Sequence, residues 1–207
     1  MSSIIVIAEY AVSKKEIKRV VISSHGMQIA KSDDFAKRFK ELGLYLSLQF
    51  DSLENGNYQE IRGASLLQNK MKTLERCEKY NIPTIFVPTV ARGYNDKELG
   101  DVVTFALNHD FVTSVTIQPA AYTGAGGTSF PQDHLNKLTQ VDIHNLLEEQ
   151  TDWLKAKDFL PIPCSHPSCY TATYLLKVDD GSFVPLTSFG DVSVYLDALT
   201  NKGVLGF

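Results

Sequence analysis

The segment from 81 to 96, NIPTIFVPTVARGYND, constrains the fold more than any other part of the chain. It starts with an apolar, β-rich run over residues 82–90, which is typical of a buried strand. A short loop follows, and Asn95 and Asp96 are candidate N-caps for the amphipathic stretch beyond them. The pattern predicts a strand buried on both faces, then a loop, then a helix. Because the loop after such a strand faces the ligand in proteins built from βα units, we expect the chemistry in residues 89–94.

Other units of the same kind precede and follow this segment, which favours a parallel sheet with right-handed crossovers. The strand patterns begin at Val20, Leu44, Thr84 and Thr113. The helical patterns occupy residues 4–13, 32–43, 66–80 and the stretch from Leu99, and residues 52–63 are interpreted as a polar loop. The spacing of the strands is close to the roughly 30 residues per unit of a (β/α) barrel. We therefore predict an α/β domain over residues 1–138.

The pattern changes after this domain, and residues 139–207 are assigned to a C-terminal extension. A helix is predicted from Thr139, with Asp142 as an acid in its first turn. The extension then contains a cysteine-bearing loop at 159–170, a hairpin from 173–178 and 183–187 around Asp-Asp-Gly-Ser, and a last helix at 192–199.

Composition excludes several classes of function. The chain has 207 residues, a net charge of −4 and a pI of about 5.7, and it has no basic cluster. Nucleic-acid binding needs concentrated Lys and Arg, so we exclude that class. The apolar run at residues 4–8 lacks a basic flank and is interrupted by Glu9, which argues against a signal peptide or a transmembrane segment. We therefore expect a cytoplasmic protein.

The chain contains three cysteines. Cys77 lies on the apolar face of its predicted helix, which favours a buried, inert thiol. Cys164 and Cys169 lie close together in Pro-Cys-Ser-His-Pro-Ser-Cys with His166, and thiolates are the ligands of zinc and iron-sulfur clusters. Because a closed zinc site needs four ligands, these residues alone leave two readings open. They form either part of a metal site or two unrelated thiols.

Two other features give weaker signals. The glycine-rich stretch 124–127 follows a strand, but it departs from G-x-G-x-x-G and leads into no Lys-Ser or Lys-Thr pair. We interpret it as a flexible loop on the substrate side. His25 lies just past a strand, where it is either a functional ligand or base or, more often, a hydrogen-bonded structural residue.

Several short motifs together resemble a known family. In chain order they are VVISSHGM, LSLQFDSL with IRG, PTIFVPTVARGYND, TIQPAAYTG, EEQT and FLPIPCSHPSCY. They resemble the later two-thirds of a radical S-adenosylmethionine (radical SAM) enzyme, in the branch of archaeal tetraether lipid synthase and its bacterial relatives. The resemblance implies a partial (β/α) barrel that binds S-adenosylmethionine through a [4Fe-4S] cluster and generates a 5′-deoxyadenosyl radical. The implied reaction is carbon-carbon bond formation on lipid chains, which would bring peripheral membrane contact.

The chain departs from this family pattern in one respect. The cluster motif C-x-x-x-C-x-x-C and the Gly-Gly-Glu of the next strand are absent from the sequence. The visible strands then correspond to barrel strands three to six, and we expect a split, truncated or mispredicted reading frame that is inactive alone. An N-terminal companion chain would supply the cluster. The alternatives are a radical methyltransferase acting on a heterocycle, and a degenerate paralogue that serves as a non-catalytic binding partner.

The resemblance implies cofactor contacts at the ends of the first two visible strands. Ser24 and His25 are expected to approach the methionyl end of S-adenosylmethionine, and Gln49 and Asp51 to contact its polar groups. Carboxylates accept hydrogen bonds from ribose hydroxyls well. Arg62 is expected either to hold the cofactor carboxylate with its guanidinium fork or to form a helix-capping salt bridge.

The same resemblance assigns residues further along the chain. Val90 and Gln118 are expected beside the adenine and a small-molecule or lipid substrate. Cys164 and Cys169 resemble ligands of an auxiliary iron-sulfur cluster, whose other cysteines would come from the companion chain.

Overall fold

This computed structural model describes residues 3–121, 137–162 and 170–192. Contacts between residues divide the chain into two compact units, Met1–Asn136 and Lys137–Phe207. The glycine-rich stretch 124–127, the last predicted helix after its first residue, and the segment with Cys164, His166 and Cys169 lie outside the described residues. In the three described ranges, no helix is both long and apolar enough to cross a bilayer.

Strands and helices alternate through the first unit. Its strands are β1 (Val21–Ser24), β2 (Tyr45–Gln49), β3 (Thr84–Val87), β4 (Thr89–Val90), β5 (Val112–Val115) and β6 (Gln118–Pro119). Its helices are α1 (Ser3–Val12), α2 (Met27–Lys31), α3 (Asp33–Glu41), α4 (Asn55–Arg62), α5 (Leu67–Tyr80) and α6 (Leu99–Leu107). Strands β1, β2, β3 and β5 form a parallel sheet in that order, and β4 pairs with β6 in parallel. The predicted α/β class with a parallel sheet is confirmed.

One face of the four-stranded sheet carries the core. Leu46, Leu48 and Phe86 are buried there against side chains of the helices, including Phe39 and Leu74. The opposite face is more open. The ladder places Ser23, Ser47, Ile85 and Ser114 in one row across that face. The prediction that the central strand is buried on both faces is therefore wrong, because β3 alternates between buried and half-buried residues.

The long strand predicted over residues 82–90 is interrupted. It divides into β3 and β4 at Pro88, whose nitrogen has no hydrogen to donate to a ladder. The Pro88 carbonyl still accepts from the Gln118 N–H at 2.9 Å. The break therefore ends the β3–β5 ladder and starts the β4–β6 ladder one residue later.

The prediction of a polar loop at residues 52–63 is wrong, because most of this segment forms α4. Its Asn-Gly-Asn start has poor helix propensity, which explains the prediction. The helix is stabilised by Tyr58, which is fully buried with its ring edge-on to Phe50 and its hydroxyl accepting from the Asp51 N–H. Gly63 then ends the helix in the left-handed conformation, with φ of 70°.

Other helix ends agree with the sequence. The Ser32 hydroxyl accepts from the Phe35 N–H at 3.1 Å and caps α3 as predicted. Gly43, just past the end of that helix, has φ of 65°, which glycine adopts readily.

The second unit is smaller and contains α7 (Gln140–Gln150), β7 (Leu160–Pro161), β8 (Thr171–Ala172), β9 (Leu175–Lys177) and β10 (Phe183–Pro185). The Thr139 side chain and the Asp142 carboxylate form a reciprocal capping box at the start of α7. Strands β9 and β10 pair antiparallel, which confirms the predicted hairpin. The shorter pair β7 and β8 is also antiparallel and flanks residues 163–169.

Candidate functional site

The carboxyl ends of the strands in the first unit meet along one edge. Ser24 pairs with Leu48 across the β1–β2 ladder, and Gln49 ends β2. In the β4–β6 ladder, Gln118 pairs with Thr89, and Val90 is the next residue of β4. Because parallel strands present their carboxyl ends at the same edge, the structure brings the residues predicted from these strands to one side of the unit. We call this side the strand edge, meaning the row of carboxyl strand ends and not an outermost strand of the sheet. It comprises Ser24, His25, Gln49, Val90 and Gln118.

Side-chain exposure differs along the strand edge. His25 and Gln118 are exposed, and Ser24 and Gln49 are half-buried, whereas Val90 is buried. The Ser24 hydroxyl accepts from the Gly26 N–H at 3.1 Å. The accessible groups are thus an imidazole, two carboxamides and part of a hydroxyl, which suit hydrogen bonding to a polar organic ligand.

Asp51 and Arg62 form an ion pair behind the strand edge. The guanidinium Nε and Nη2 donate to the two carboxylate oxygens of Asp51, each at 2.9 Å. Side-chain exposure is 1% for Asp51 and 24% for Arg62. Nη2 also donates to the Thr89 hydroxyl, and the Thr89 N–H donates to Asp51 Oδ1. Arg62 therefore forms a salt bridge, but one that joins the β2 end to β4 and does not cap a helix.

Asn95 holds the same two strand ends through the backbone. Its amide nitrogen donates to the Asp51 carbonyl at 2.7 Å and to the Thr89 carbonyl at 2.8 Å, while its oxygen accepts from the Ala91 N–H. The side chain is buried, so these bonds satisfy groups that water does not reach. Asn95 occupies the N-cap position of the short 3₁₀ turn Asp96–Glu98, but its side chain makes no capping bond to that turn. Helix α6 follows this turn.

Glu98 forms hydrogen bonds with the loop between β2 and α4 and with the first turn of α4. Its carboxylate accepts from the Ser52 hydroxyl, from the Leu53 N–H at 3.1 Å and from the Asn57 amide at 2.7 Å. Sequence reasoning missed this residue, since nothing local links Glu98 to a loop more than 40 positions earlier.

Lys70 lies beneath the strand edge and was also missed. Its side chain is on α5, 1% of the residue is exposed, and Nζ donates to the His25 carbonyl at 3.1 Å and the Gln49 carbonyl at 2.5 Å. Burial lowers the pKa of Lys70 to about 8, the Asp51 carboxylate opposes that shift, and Arg62 adds to it. The sequence does indicate that Lys70 is buried, because it shares one helical face with the apolar residues Leu67, Leu74 and Cys77.

A separate arrangement in the second unit holds the flanks of residues 163–169. The Ile162 N–H donates to the Tyr170 carbonyl at 3.0 Å, continuing the β7–β8 ladder. His144 of α7 contacts the Thr171 hydroxyl through Nε2 at 2.9 Å. Burial lowers the pKa of this histidine, which favours the neutral ring. The chain thus enters and leaves the cysteine-containing segment at adjacent points.

Comparison with known proteins identifies the family. Residues 2–106 match the family described as the Radical SAM superfamily. The chain belongs to this superfamily. This confirms the radical SAM resemblance seen in the sequence, whereas the tetraether lipid synthase branch stays a prediction. The match covers β1 to β3 together with Asp51, Arg62 and Lys70.

Two curated relatives are similar to the chain over part of their length. It is 32% identical over 207 aligned positions to the 7,8-dihydro-6-hydroxymethylpterin dimethyltransferase of Methanocaldococcus jannaschii, covering 88% of this chain and 40% of that protein. It is 33% identical over 72 positions to a probable GTP 3′,8-cyclase of Pyrococcus abyssi, covering 34% of this chain and 24% of the cyclase. The chain therefore spans less than half the length of these relatives.

Radical SAM enzymes use S-adenosylmethionine and a [4Fe-4S] cluster, and the two groups fit the described residues differently. The hydrogen-bonding groups of the strand edge suit the cofactor. A cluster needs several thiolates. Within the described ranges the one cysteine is Cys77, which is buried in the core, and burial raises its thiol pKa to about 11. The prediction that Cys77 is buried is confirmed, and no group of three or more His, Cys, Asp or Glu in those ranges is arranged to hold a metal.

Proposed function

We propose that this chain is the S-adenosylmethionine-binding part of a radical SAM enzyme and that the cofactor binds along the strand edge. The observation that carries the proposal is the radical SAM match over β1 to β3, whose carboxyl ends bring Ser24, His25 and Gln49 to one side. Ligands of open α/β sheets bind outside the carboxyl ends of the strands, which supports this location.

The exposed and buried groups take different roles in this proposal. Ser24 and His25 bind the methionyl end of the cofactor, and Gln49 hydrogen-bonds to its polar groups. Val90 and Gln118 lie toward the adenine and the substrate. For Asp51 and Arg62, the buried two-point ion pair favours a role in holding the strand ends over direct contact with the cofactor. Separating the pair to bind a ligand would leave a buried carboxylate uncompensated.

The reaction class favoured by the comparisons is methylation of a heterocycle. The relative aligned over most of this chain is named a pterin dimethyltransferase, and pterin is a nitrogen heterocycle. Carbon-carbon bond formation on lipid chains remains a prediction from the sequence resemblance, without support from the comparisons. In family members the cluster supplies the electron that cleaves S-adenosylmethionine, so we propose that a companion segment provides the cluster ligands.

An apolar surface supports such a companion. Strand β1 lies at one edge of the described sheet, where it presents backbone groups to a further strand. Helix α1, which precedes β1 in the sequence, exposes large apolar side chains, with Ile7 62% and Tyr10 67% exposed. Exposed apolar patches of this kind mark interaction surfaces. We propose that a companion segment, in the same polypeptide or a separate chain, covers α1 and β1.

Cofactor binding gives a direct test. We expect Gln49→Ala to weaken S-adenosylmethionine binding about three- to tenfold, because the variant removes a hydrogen-bonding carboxamide worth about 1 kcal/mol. The backbone carbonyl of Gln49, which accepts from Lys70, is retained. Dissociation constants are measured by NMR titration. Ser47→Ala, two positions earlier on the same strand, is the matched control and should bind as the wild type does. Equal affinities for both variants, or no binding by the wild type, would refute the cofactor site.

Metal binding tests the assignment of Cys164 and Cys169. We expect the chain to bind iron or zinc weakly, because two thiolates and at most His166 leave coordination positions unfilled. Affinity should rise when an N-terminal half with the complementary cysteines is added. Metal content is measured for the wild type and the Cys164→Ser/Cys169→Ser variant, each with and without that half. The same metal content in all four samples would remove the auxiliary-cluster assignment.

A further inference from the structure

Helix α5 presents a row of polar side chains to the loop that follows β1. Lys70, Thr73 and Arg76 are three residues apart, so they lie along one side of the helix. Each donates to a backbone carbonyl of the segment 25–29. Lys70 Nζ reaches the His25 carbonyl at 3.1 Å, Thr73 Oγ1 reaches the Gly26 carbonyl at 3.1 Å, and Arg76 Nη1 reaches the Ile29 carbonyl. The single hydroxyl hydrogen of Thr73 is shared with the Asn69 carbonyl of α5, which lies 2.8 Å from Oγ1. We call these three side chains the α5 row.

Lys70 differs from the other two because it contacts a second strand end. Its Nζ also donates to the Gln49 carbonyl at the end of β2. One buried ammonium therefore spans the loops after β1 and β2, both of which contribute to the strand edge. Burying an ammonium costs free energy unless it is hydrogen-bonded, and here two carbonyls compensate it. An apolar residue would fill the site at lower cost but would leave these two carbonyls without their donor.

The segment held by the α5 row has little stability of its own. Helix α2 has five residues, and isolated helices much shorter than 12 residues are marginal in water. It starts from Gly26, whose φ of 80° is left-handed and whose N–H donates back to the Ser24 hydroxyl. The position of His25 therefore depends on contacts made by a different helix, whereas Ser24 is also held by the β1–β2 ladder.

We propose that Lys70, supported by Thr73 and Arg76, is a positioning residue that fixes the loop of Ser24 and His25 relative to Gln49. This inference rests on the proposed function, since it assigns Lys70 to the same cofactor site. Lys70 does not touch the ligand in this role. It reduces the ordering that the two strand-end loops undergo when the ligand binds, and a preorganised site binds more tightly for that reason.

The first measurement is hydrogen exchange in the full chain, which needs no ligand. In Lys70→Met, which has similar length but no donor, the amides of residues 24–32 should exchange at least tenfold faster than in the wild type, while those of β5 stay unchanged. Lys72→Met, exposed on the same helix, is the control and should match the wild type. Unchanged exchange in 24–32, or equal acceleration in β5, overturns the positioning role.

A second variant keeps the test decisive if Lys70→Met fails to fold. Thr73→Val has nearly the same shape but lacks the hydroxyl that bonds to Gly26. It should accelerate exchange in the same residues, and Thr73→Ser, which keeps the hydroxyl, should restore most of the protection. Protection that is the same in Thr73→Val and Thr73→Ser contradicts the α5 row.

The last measurement is S-adenosylmethionine affinity by NMR titration. Lys70→Met should bind at least tenfold more weakly than the wild type, and Lys72→Met should bind equally well. Faster exchange with unchanged affinity overturns the link between Lys70 and the ligand but leaves the cofactor site standing. A wild type that binds no S-adenosylmethionine overturns the proposed function, and with it this role of Lys70 at a cofactor site. The exchange data then decide separately whether α5 anchors the loop.

Discussion

Replacement of Arg62 by Met should lower the free energy of unfolding by about 3 kcal/mol, at the lower end of the range for breaking a buried ion pair. The loss follows from the 1% side-chain exposure of Asp51, which would keep its charge in the interior without the guanidinium that donates to both oxygens. The Thr89 hydroxyl would lose the same donor. Urea denaturation at neutral pH measures the change.

An exposed arginine provides the control for this variant. Arg38 pairs with Glu9 and Glu41, but its side chain is 46% exposed. Arg38→Met should therefore destabilise the protein much less than Arg62→Met does, because ion pairs exposed to solvent contribute little to stability. In the double variant Arg62→Met/Asp51→Leu, part of the loss should return because no charge is left buried. Similar losses for Arg62→Met and Arg38→Met would contradict the account of a buried pair.

The sequence predicted the order of the main strands and of helices α3, α5, α6 and α7, because local periodicity determines it. The start of α3 and the β9–β10 hairpin each follow from a few neighbouring residues, such as Ser32 or Gly181. Helix α4 could not be predicted in this way. Its Asn-Gly-Asn start disfavours a helix, and the compensating contact joins Tyr58 to Phe50, which depends on the fold of the β2 end.

The candidate site was predictable where it depends on strand ends and was not where it depends on long-range hydrogen bonds. His25 and Gln49 follow β-rich runs, and parallel strands necessarily bring such residues to one edge. Asn95 and Lys70 bond to backbone groups 44 and 45 positions away. A single sequence does not indicate those partners. Of these two residues, only the burial of Lys70 could be suspected from the sequence, because a charged residue is unusual on the apolar face of a helix.

The substitution Gly26→Ala should lower the free energy of unfolding by about 3 kcal/mol, combining roughly 1–2 kcal/mol for a left-handed alanine with a similar amount for overpacking. A Cβ at this position would lie 2.6 Å from Thr73 Oγ1 and 2.9 Å from Leu48 Cδ1. Helix α5 and strand β2 both contribute to the core, so neither neighbour moves away cheaply. Thermal or urea unfolding measures the loss.

Gly43→Ala separates the two causes of this effect. Gly43 also has a left-handed backbone, with φ of 65°, but a Cβ there would have no heavy atom within 4 Å. Its substitution should cost only the conformational part, roughly 1–2 kcal/mol. In a Thr73→Ala background, where the two shortest contacts are removed, the cost of Gly26→Ala should fall toward the Gly43→Ala value. If that cost does not fall, the loop after β1 is not packed against Thr73 as the structure shows, and the contact through which α5 would position Ser24 and His25 is absent.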